Sequence, residues 1–207
     1  TAGQCAAGVM SRFDAKAIAG ALPGTSVDLK PYLVGGKDAS AVEGLSQGFK
    51  AGLAGMFDAM PDDLKGQVKI GSGFRSPQEQ ADILAGSLLK RFGQDAADKW
   101  QGYVQAAGGD VVKAGAAARP WLQSIGETQW VAPPGASNHQ KGQAADLQFE
   151  SDAAKQWVHA NADRFGLKFR MDNEDWHIEP MTVSDVASNA SRQFDRATPS
   201  DRFIMTA

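Results

Sequence analysis

None of the strand-like stretches in this sequence is long, and segments of helical period or polar turns stand between them. Apolar residues alternate at Val68, Ile70 and Phe74 and recur in Ala144–Phe149, Leu167–Met171 and Trp176–Ile178. Between them, apolar positions instead repeat every three or four residues, which is the period of one helical face. Helices alternating with short, non-adjacent strands point to an α+β domain: a small antiparallel sheet with helices packed around it.

The helical segments carry their own start and stop signals. Ser40-Ala-Val-Glu43 reads as a capping box opening a helix whose stripe is Val42, Leu45, Phe49, Leu53, Met56 and Met60, stopped by Pro61. Ser76-Pro77-Gln78-Glu79 is a second capping box, with proline at the first helical position where its missing N–H costs nothing. Ala81, Leu84 and Leu88 are the buried face of that helix, and Gly93 closes it. Arg75 therefore falls at a strand-to-helix corner, from which a side chain projects into a cleft. Residues 94–130 read as an inserted helical lobe: Asp95–Ala106, a break at Gly108-Gly109, resumption over Val111–Ala118, then a loop from Pro120-Trp121 to Trp130. Ser151 caps a further helix bearing Trp157 and Val158, ended by Gly166. The expected organisation is an N-terminal extension over 1–37, a domain over 38–182 and a C-terminal extension over 183–207.

With 207 residues, 43% hydrophobic and 22% charged, the chain has material for one ordinary core and is not of disordered composition. A net charge of −3 argues against an electrostatic nucleic-acid binder. No apolar run approaches the roughly 20 residues that span a bilayer. The single Cys5 has no internal disulfide partner.

Three histidines keep the question of a metal tractable. His159 follows Trp157 by two positions, about 200° around a helix, so it faces away from the buried side and is expected to be exposed and not a ligand. His139 and His177 stand beside turns, each with a carboxylate at short spacing. Asp146 follows His139 by seven positions with Gly142 between, an odd separation that puts His139 on the loop and Asp146 on the strand. Glu174 precedes His177 by three. Two imidazoles and a carboxylate, with a fourth position open, are the donors of a catalytic zinc, and a neighbouring free carboxylate is then the general base. Spacing alone leaves the alternative open, in which both histidines are hydrogen-bonded structural residues. It also leaves rivals for the base: Asp175 points the other way, whereas Glu179 shares a strand face with His177 and serves equally as a partner for an imidazole N–H. Trp176 is the tryptophan expected to wall the site.

The segment Ser137-Asn-His139-Gln-Lys-Gly142-Gln-Ala-Ala-Asp146 resembles the S-x-H-x-x-G-x-A-x-D motif of the zinc D-alanyl-D-alanine peptidases. That family includes vancomycin-resistance peptidases and the L-alanyl-D-glutamate endolysins of phages. Val131-Ala-Pro-Pro-Gly135 is similar to the approach segment of its carboxypeptidase branch, Glu174-Asp175-Trp176-His177 to its E-x-W-H motif, and Ser72-Gly-Phe-Arg75-Ser76 to S-G-[YF]-R-S. The three motifs keep their order across residues 38–180. The resemblance implies the fold shared with lysostaphin-type peptidases and the Hedgehog domain. It implies Zn²⁺ held by His139, Asp146 and His177, with Glu174 as base, Arg75 as stabiliser of the substrate carbonyl and Ser137 as a substrate contact.

The activity so implied is hydrolysis of a peptidoglycan stem peptide, as a D,D-carboxypeptidase or an L-Ala-D-Glu-type endopeptidase, in the periplasm or cell wall after secretion or phage delivery. A catalytically inactive Hedgehog-like binding or virion structural module is the alternative. Residues 94–130 are expected to decide between a closed carboxylate pocket and an open groove. In the terminal extension, Phe194, Phe203 and Ile204 are candidates for docking onto the domain or a partner, with no motif that reaches the metal ligands.

Overall fold

The computed structural model describes residues 27–188. The tail residues Phe194, Phe203 and Ile204 lie outside them. The described chain forms two compact units, one from residues up to Ser72 and from Ala144 onward, the other from Gly73–Gln143.

The first unit contains helices α1 (Ser40–Glu43) and α2 (Gln47–Asp58), then strand β1 (Val68–Ser72). After the second unit, the chain returns as β2 (Ala145–Phe149), α6 (Asp152–Asn161), β3 (Leu167–Phe169) and β4 (His177–Pro180). The four strands make one antiparallel sheet in the order β1-β2-β4-β3. One face is apolar: Val68, Ile70, Ala145, Leu147, Leu167 and Ile178 are all at most 3% exposed. Helix α2 supplies Phe49, Leu53 and Met56 to the same core and lies so close to the 162–167 segment that a Cβ on Gly52 would meet the Phe165 carbonyl at 2.7 Å.

The apolar stripe from Val42 to Met60 is buried as its period predicts, but not as one helix. The Ser40 capping box does not form. Asp38 Oδ1 takes the Ser40 N–H at 2.8 Å, Glu43 pairs with Lys30, and α1 ends at Gly44 before Ser46 starts α2 in extended conformation. A competing acceptor two residues upstream thus replaces the reciprocal cap. Strand β1 ends at Ser72, so Arg75 lies three residues past it, just before α3.

The second unit is helical. It holds α3 (Pro77–Phe92), α4 (Gln94–Ala106) and α5 (Val111–Ser124) around Leu84, Leu88, Trp100, Ala114, Ala118 and Leu122. The Ser76 box is complete: Ser76 Oγ accepts the Glu79 N–H at 3.2 Å, and Glu79 Oε2 accepts the Ser76 N–H at 2.7 Å. This unit is wider than the lobe expected at 94–130, because the α3 stripe is one wall of its core. The loop expected from Pro120 is also helix. Asp110 caps α5 by accepting from the Val112 and Lys113 N–H groups, and the helix runs through Pro120 to Ser124. Proline forfeits one backbone hydrogen bond there. Burial of Ala118 and Leu122 on either side of it offsets that loss.

Candidate metal centre

The polar face of the sheet carries the site. Ser72 pairs with Asp146 across β1 and β2, and Asp146 pairs with His177 across β2 and β4. Directly opposed residues of antiparallel strands share a face, so these three side chains stand in a row. A register shift between Ile70 and Ser72 inserts one extra residue, which brings Ser72 to that face opposite Asp146. His177 Nδ1 lies 3.0 Å from Asp146 Oδ1, and its Nε2 lies 3.1 Å from Glu179 Oε1. Burial opposes a charge on this imidazole, but the hydrogen bonds to Asp146 and Glu179 outweigh it and raise its pKa from 6.5 to about 9.

Glu174 sits in the turn before β4, with its Oε2 4.0 Å from His177 Nδ1, on the same side of the ring as Asp146. Its turn is closed by the Glu174 N–H to the Met171 carbonyl and the His177 N–H to the Glu174 carbonyl. Asp175 is engaged elsewhere: Lys155 binds its carboxylate and holds it below the usual carboxylate range, and His159 Nε2 contacts its carbonyl oxygen at 2.8 Å. His159 is exposed, as its helix position predicts. It also stacks on Phe169 with ring centroids 3.8 Å apart. Sequence reasoning missed this bracing of the Glu174 turn, because the contacts join residues 16 and 10 apart on different elements.

Glu179 is occupied by His177 and by Arg170, whose Nε lies 3.0 Å from Glu179 Oε2. Arg170 also bonds Asp185, which accepts from Lys168 Nζ at 2.7 Å and from Thr182 N–H at 2.8 Å. Arg170 first, then Lys168 and Thr182, hold the Asp185 carboxyl far below the usual carboxylate range. Residue 185 is 9% exposed.

In the helical unit, His139 is 5% exposed in the loop predicted for it. Its Nδ1 lies 2.7 Å from the Gly73 carbonyl, an acceptor that makes Nδ1 the N–H nitrogen of the ring. The Arg75 N–H bonds the His139 carbonyl at 3.4 Å, and Gly142 returns an N–H to the same oxygen at 3.1 Å. Gly142 does so at φ +66°, a conformation that glycine adopts without strain. Ser137 is buried at 5% exposure.

His139 in the helical unit and Asp146 and His177 in the sheet unit each offer one ligand atom for a metal ion. The donor set fits zinc: two imidazoles and one carboxylate, each imidazole with its second nitrogen on a carbonyl or carboxylate that fixes the tautomer. Within the first unit, a groove of about 810 Å³ leads away from Asp146 over Gly71 and Gln148, with Lys155 and Trp176 along its wall. Trp176 is 44% exposed there. The Gln148 side chain lies against Gly71, where a Cβ would meet it at 2.8 Å.

Residues 43–182 match the family model VanY, D-alanyl-D-alanine carboxypeptidase. The chain belongs to this family. It is therefore an enzyme of the peptidoglycan-peptidase class, with the α+β fold expected from its sequence. Among solved structures, the chain is similar to a VanB-type vancomycin resistance D,D-pentapeptidase VanY variant in complex with Zn(II), at 24% identity and TM-score 0.46, covering 70% of this chain and 76% of that one. It is similar to VanYB in complex with D-alanine-D-alanine, at 24% identity and TM-score 0.44, over 70% and 75% of the two chains. An L,D-carboxypeptidase DacB from Streptococcus pneumoniae is similar at 21% identity and TM-score 0.42, over 78% and 74%. No curated protein matches the chain. Among the described residues, no helix is long and apolar enough to cross a membrane.

Proposed function

We propose that this VanY-family protein is a zinc D,D-carboxypeptidase that removes a terminal D-alanine from peptidoglycan stem peptides, acting in the periplasm or cell wall. The observation that carries the reading is His177 held between Asp146 and Glu179, with Glu174 on the Asp146 side of the ring. His139 through Nε2, Asp146 through its carboxylate and His177 through Nδ1 would hold the metal. A zinc bound there supplies a Lewis acid for the carbonyl and a water whose pKa falls to about 7.

The remaining chemistry falls to the chain's own groups. Glu174 takes the proton from the attacking water and returns it to the leaving amine, so one carboxylate serves as base and then as acid. Arg75, fixed at the α3 N-terminus by the Ser76 cap and by its own N–H on the His139 carbonyl, is the donor for the developing oxyanion. Ser137 contacts the substrate beside His139. The groove over Gly71 and Gln148 receives the stem peptide, with Trp176 against its apolar portions.

Digestion of purified muropeptides, with products identified by mass spectrometry, tests this reading. Release of free D-alanine is the expected result. Liberation of an L-Ala terminus, or scission of a crosslink, would instead make the enzyme an endopeptidase. Loss of bound zinc from His139→Ala and His177→Ala is expected alongside. Full zinc occupancy in both variants overturns the ligand assignment.

A further inference from the structure

Three charged side chains continue outward from His177 on the polar face of the sheet. Glu179 receives His177 through one oxygen and Arg170 through the other, at 3.1 and 3.0 Å. Glu179 lies two residues along β4 from His177 and so on the same face, with Lys168 as its register partner across β3 and β4. Arg170, just past β3, spans from Glu179 to Asp185 and also bonds the Pro180 carbonyl at 3.2 Å. Asp185 is in turn fixed by Lys168 and by a reciprocal pair with Thr182: its Oδ2 accepts from Thr182 Oγ1 at 2.7 Å, and its N–H donates to that oxygen at 3.2 Å. The side chains of Glu179 and Asp185 are only 12% and 11% exposed, and that of Arg170 is 28% exposed.

An imidazole that holds a metal through one nitrogen is oriented by whatever its other N–H meets. Here that partner is Glu179. A carboxylate so little exposed keeps its charge and position only while an opposite charge compensates it. The Arg170 guanidinium does this with a rigid fork that holds two carboxylates at once, which a lysine ammonium does not reproduce. Asp185 then fixes the far side of the fork. We propose that Arg170 and Asp185 are positioning residues for the metal centre, acting on His177 through Glu179. The segment after residue 182, beyond the part of the chain that matches the family model, thereby sets how well His177 holds zinc. The proposal rests on the reading of His177 as a zinc ligand.

The test measures zinc affinity by competition with a chromophoric chelator, using the full chain and the variants Glu179→Gln, Arg170→Gln, Arg170→Lys and Asp185→Asn. Wild-type zinc binding that is lost in His177→Ala establishes the ligand first. Without it, the ligand reading and this proposal fall together. Given it, Glu179→Gln and Arg170→Gln are expected to weaken zinc binding by roughly 10- to 100-fold. Asp185→Asn should weaken it by about tenfold, and Arg170→Lys should fall between Arg170→Gln and wild type. Loss of affinity from Asp185→Asn should shrink to under twofold in a Glu179→Gln background, since the two then act through one path. The imidazole ¹⁵N spectrum of the zinc form gives a readout independent of turnover. It should show His177 protonated at Nε2 in wild type and a mixed or shifted signal in Arg170→Gln. Folded Arg170→Gln and Asp185→Asn proteins whose zinc affinity stays within twofold of wild type, with thermal stability alone reduced, would make the network a structural clamp and overturn the proposal.

Discussion

Asp146 and His177 face each other across the β2–β4 ladder, with the imidazole Nδ1 3.0 Å from the carboxylate. In the metal-free protein a proton holds this pair together. Its pKa of about 9 means that a zinc ion entering at neutral pH must displace that proton. Binding is therefore expected to release about one proton from His177 per zinc at pH 7, and affinity should climb as the pH rises towards 9. The sign for stability is the reverse. The folded-state pKa is raised above 6.5, so the stabilisation from the protonated pair is complete below pH 6.5 and is lost as the pH rises through about 9. Titration calorimetry in buffers of different protonation enthalpy counts the protons, and chelator-treated protein melted from pH 6 to 10 gives the slope. Zinc binding without proton uptake by the buffer at pH 7 would contradict the assignment.

Replacement of Glu174 by glutamine keeps the shape of the side chain but removes its ability to accept a proton. Turnover of a muropeptide should fall by roughly 10²–10⁴-fold, with zinc content unchanged. If Glu174→Gln stays active while Glu179→Gln binds zinc normally and is inactive, the base is Glu179.

Lys155 and His159 brace the turn that carries Glu174 by holding the carboxylate and carbonyl of Asp175, without touching a proposed ligand. The sequence alone predicts that His159→Ala changes nothing. With its bond to Asp175 and its stacking on Phe169, the expected outcome becomes unchanged zinc content and a loss of turnover of about three- to tenfold, a misplacement effect. Steady-state kinetics beside elemental analysis separates the two readouts.

Glu127 is a fully buried carboxylate in the helical unit, 3.2 Å from Arg91 Nε, and Arg91 lies 4.3 Å from the Trp130 ring centroid. Arg91→Ala should destabilise the protein by about 2 kcal/mol, less than for a fully buried pair because the Arg91 side chain is 34% exposed. Glu127→Gln, which removes the charge, should cost less. Denaturant melts of the two variants decide the order, and equal losses would show that the charge is not what matters there.

The parts of this protein legible from the sequence are those fixed within a few residues. Ser76, Pro77 and Glu79 form their capping box because both hydrogen bonds close within one turn. The apolar stripe Val42–Met60 and the stripe of α3 are buried because their period decides which side faces a core. The loop position of His139 and the strand position of Asp146 follow from an odd spacing interrupted by Gly142. Even locally, the Ser40 box failed because Asp38 offered a nearer acceptor, and Pro120 did not end α5 because the burial around it outweighed one lost hydrogen bond.

What the tertiary structure alone decided is which partner each carboxylate meets. Glu174, Asp175 and Glu179 are near-equivalent in sequence, each within three residues of His177. The sheet separates them. Register places Asp146 opposite His177 and Lys168 opposite Glu179; Arg170 takes the outer oxygen of Glu179, and Lys155 from α6 takes Asp175. Those partners lie 9 to 31 positions away along the chain. A side chain's charge and direction depend on what packs against it, and no spacing within a motif encodes which distant strand or helix that will be.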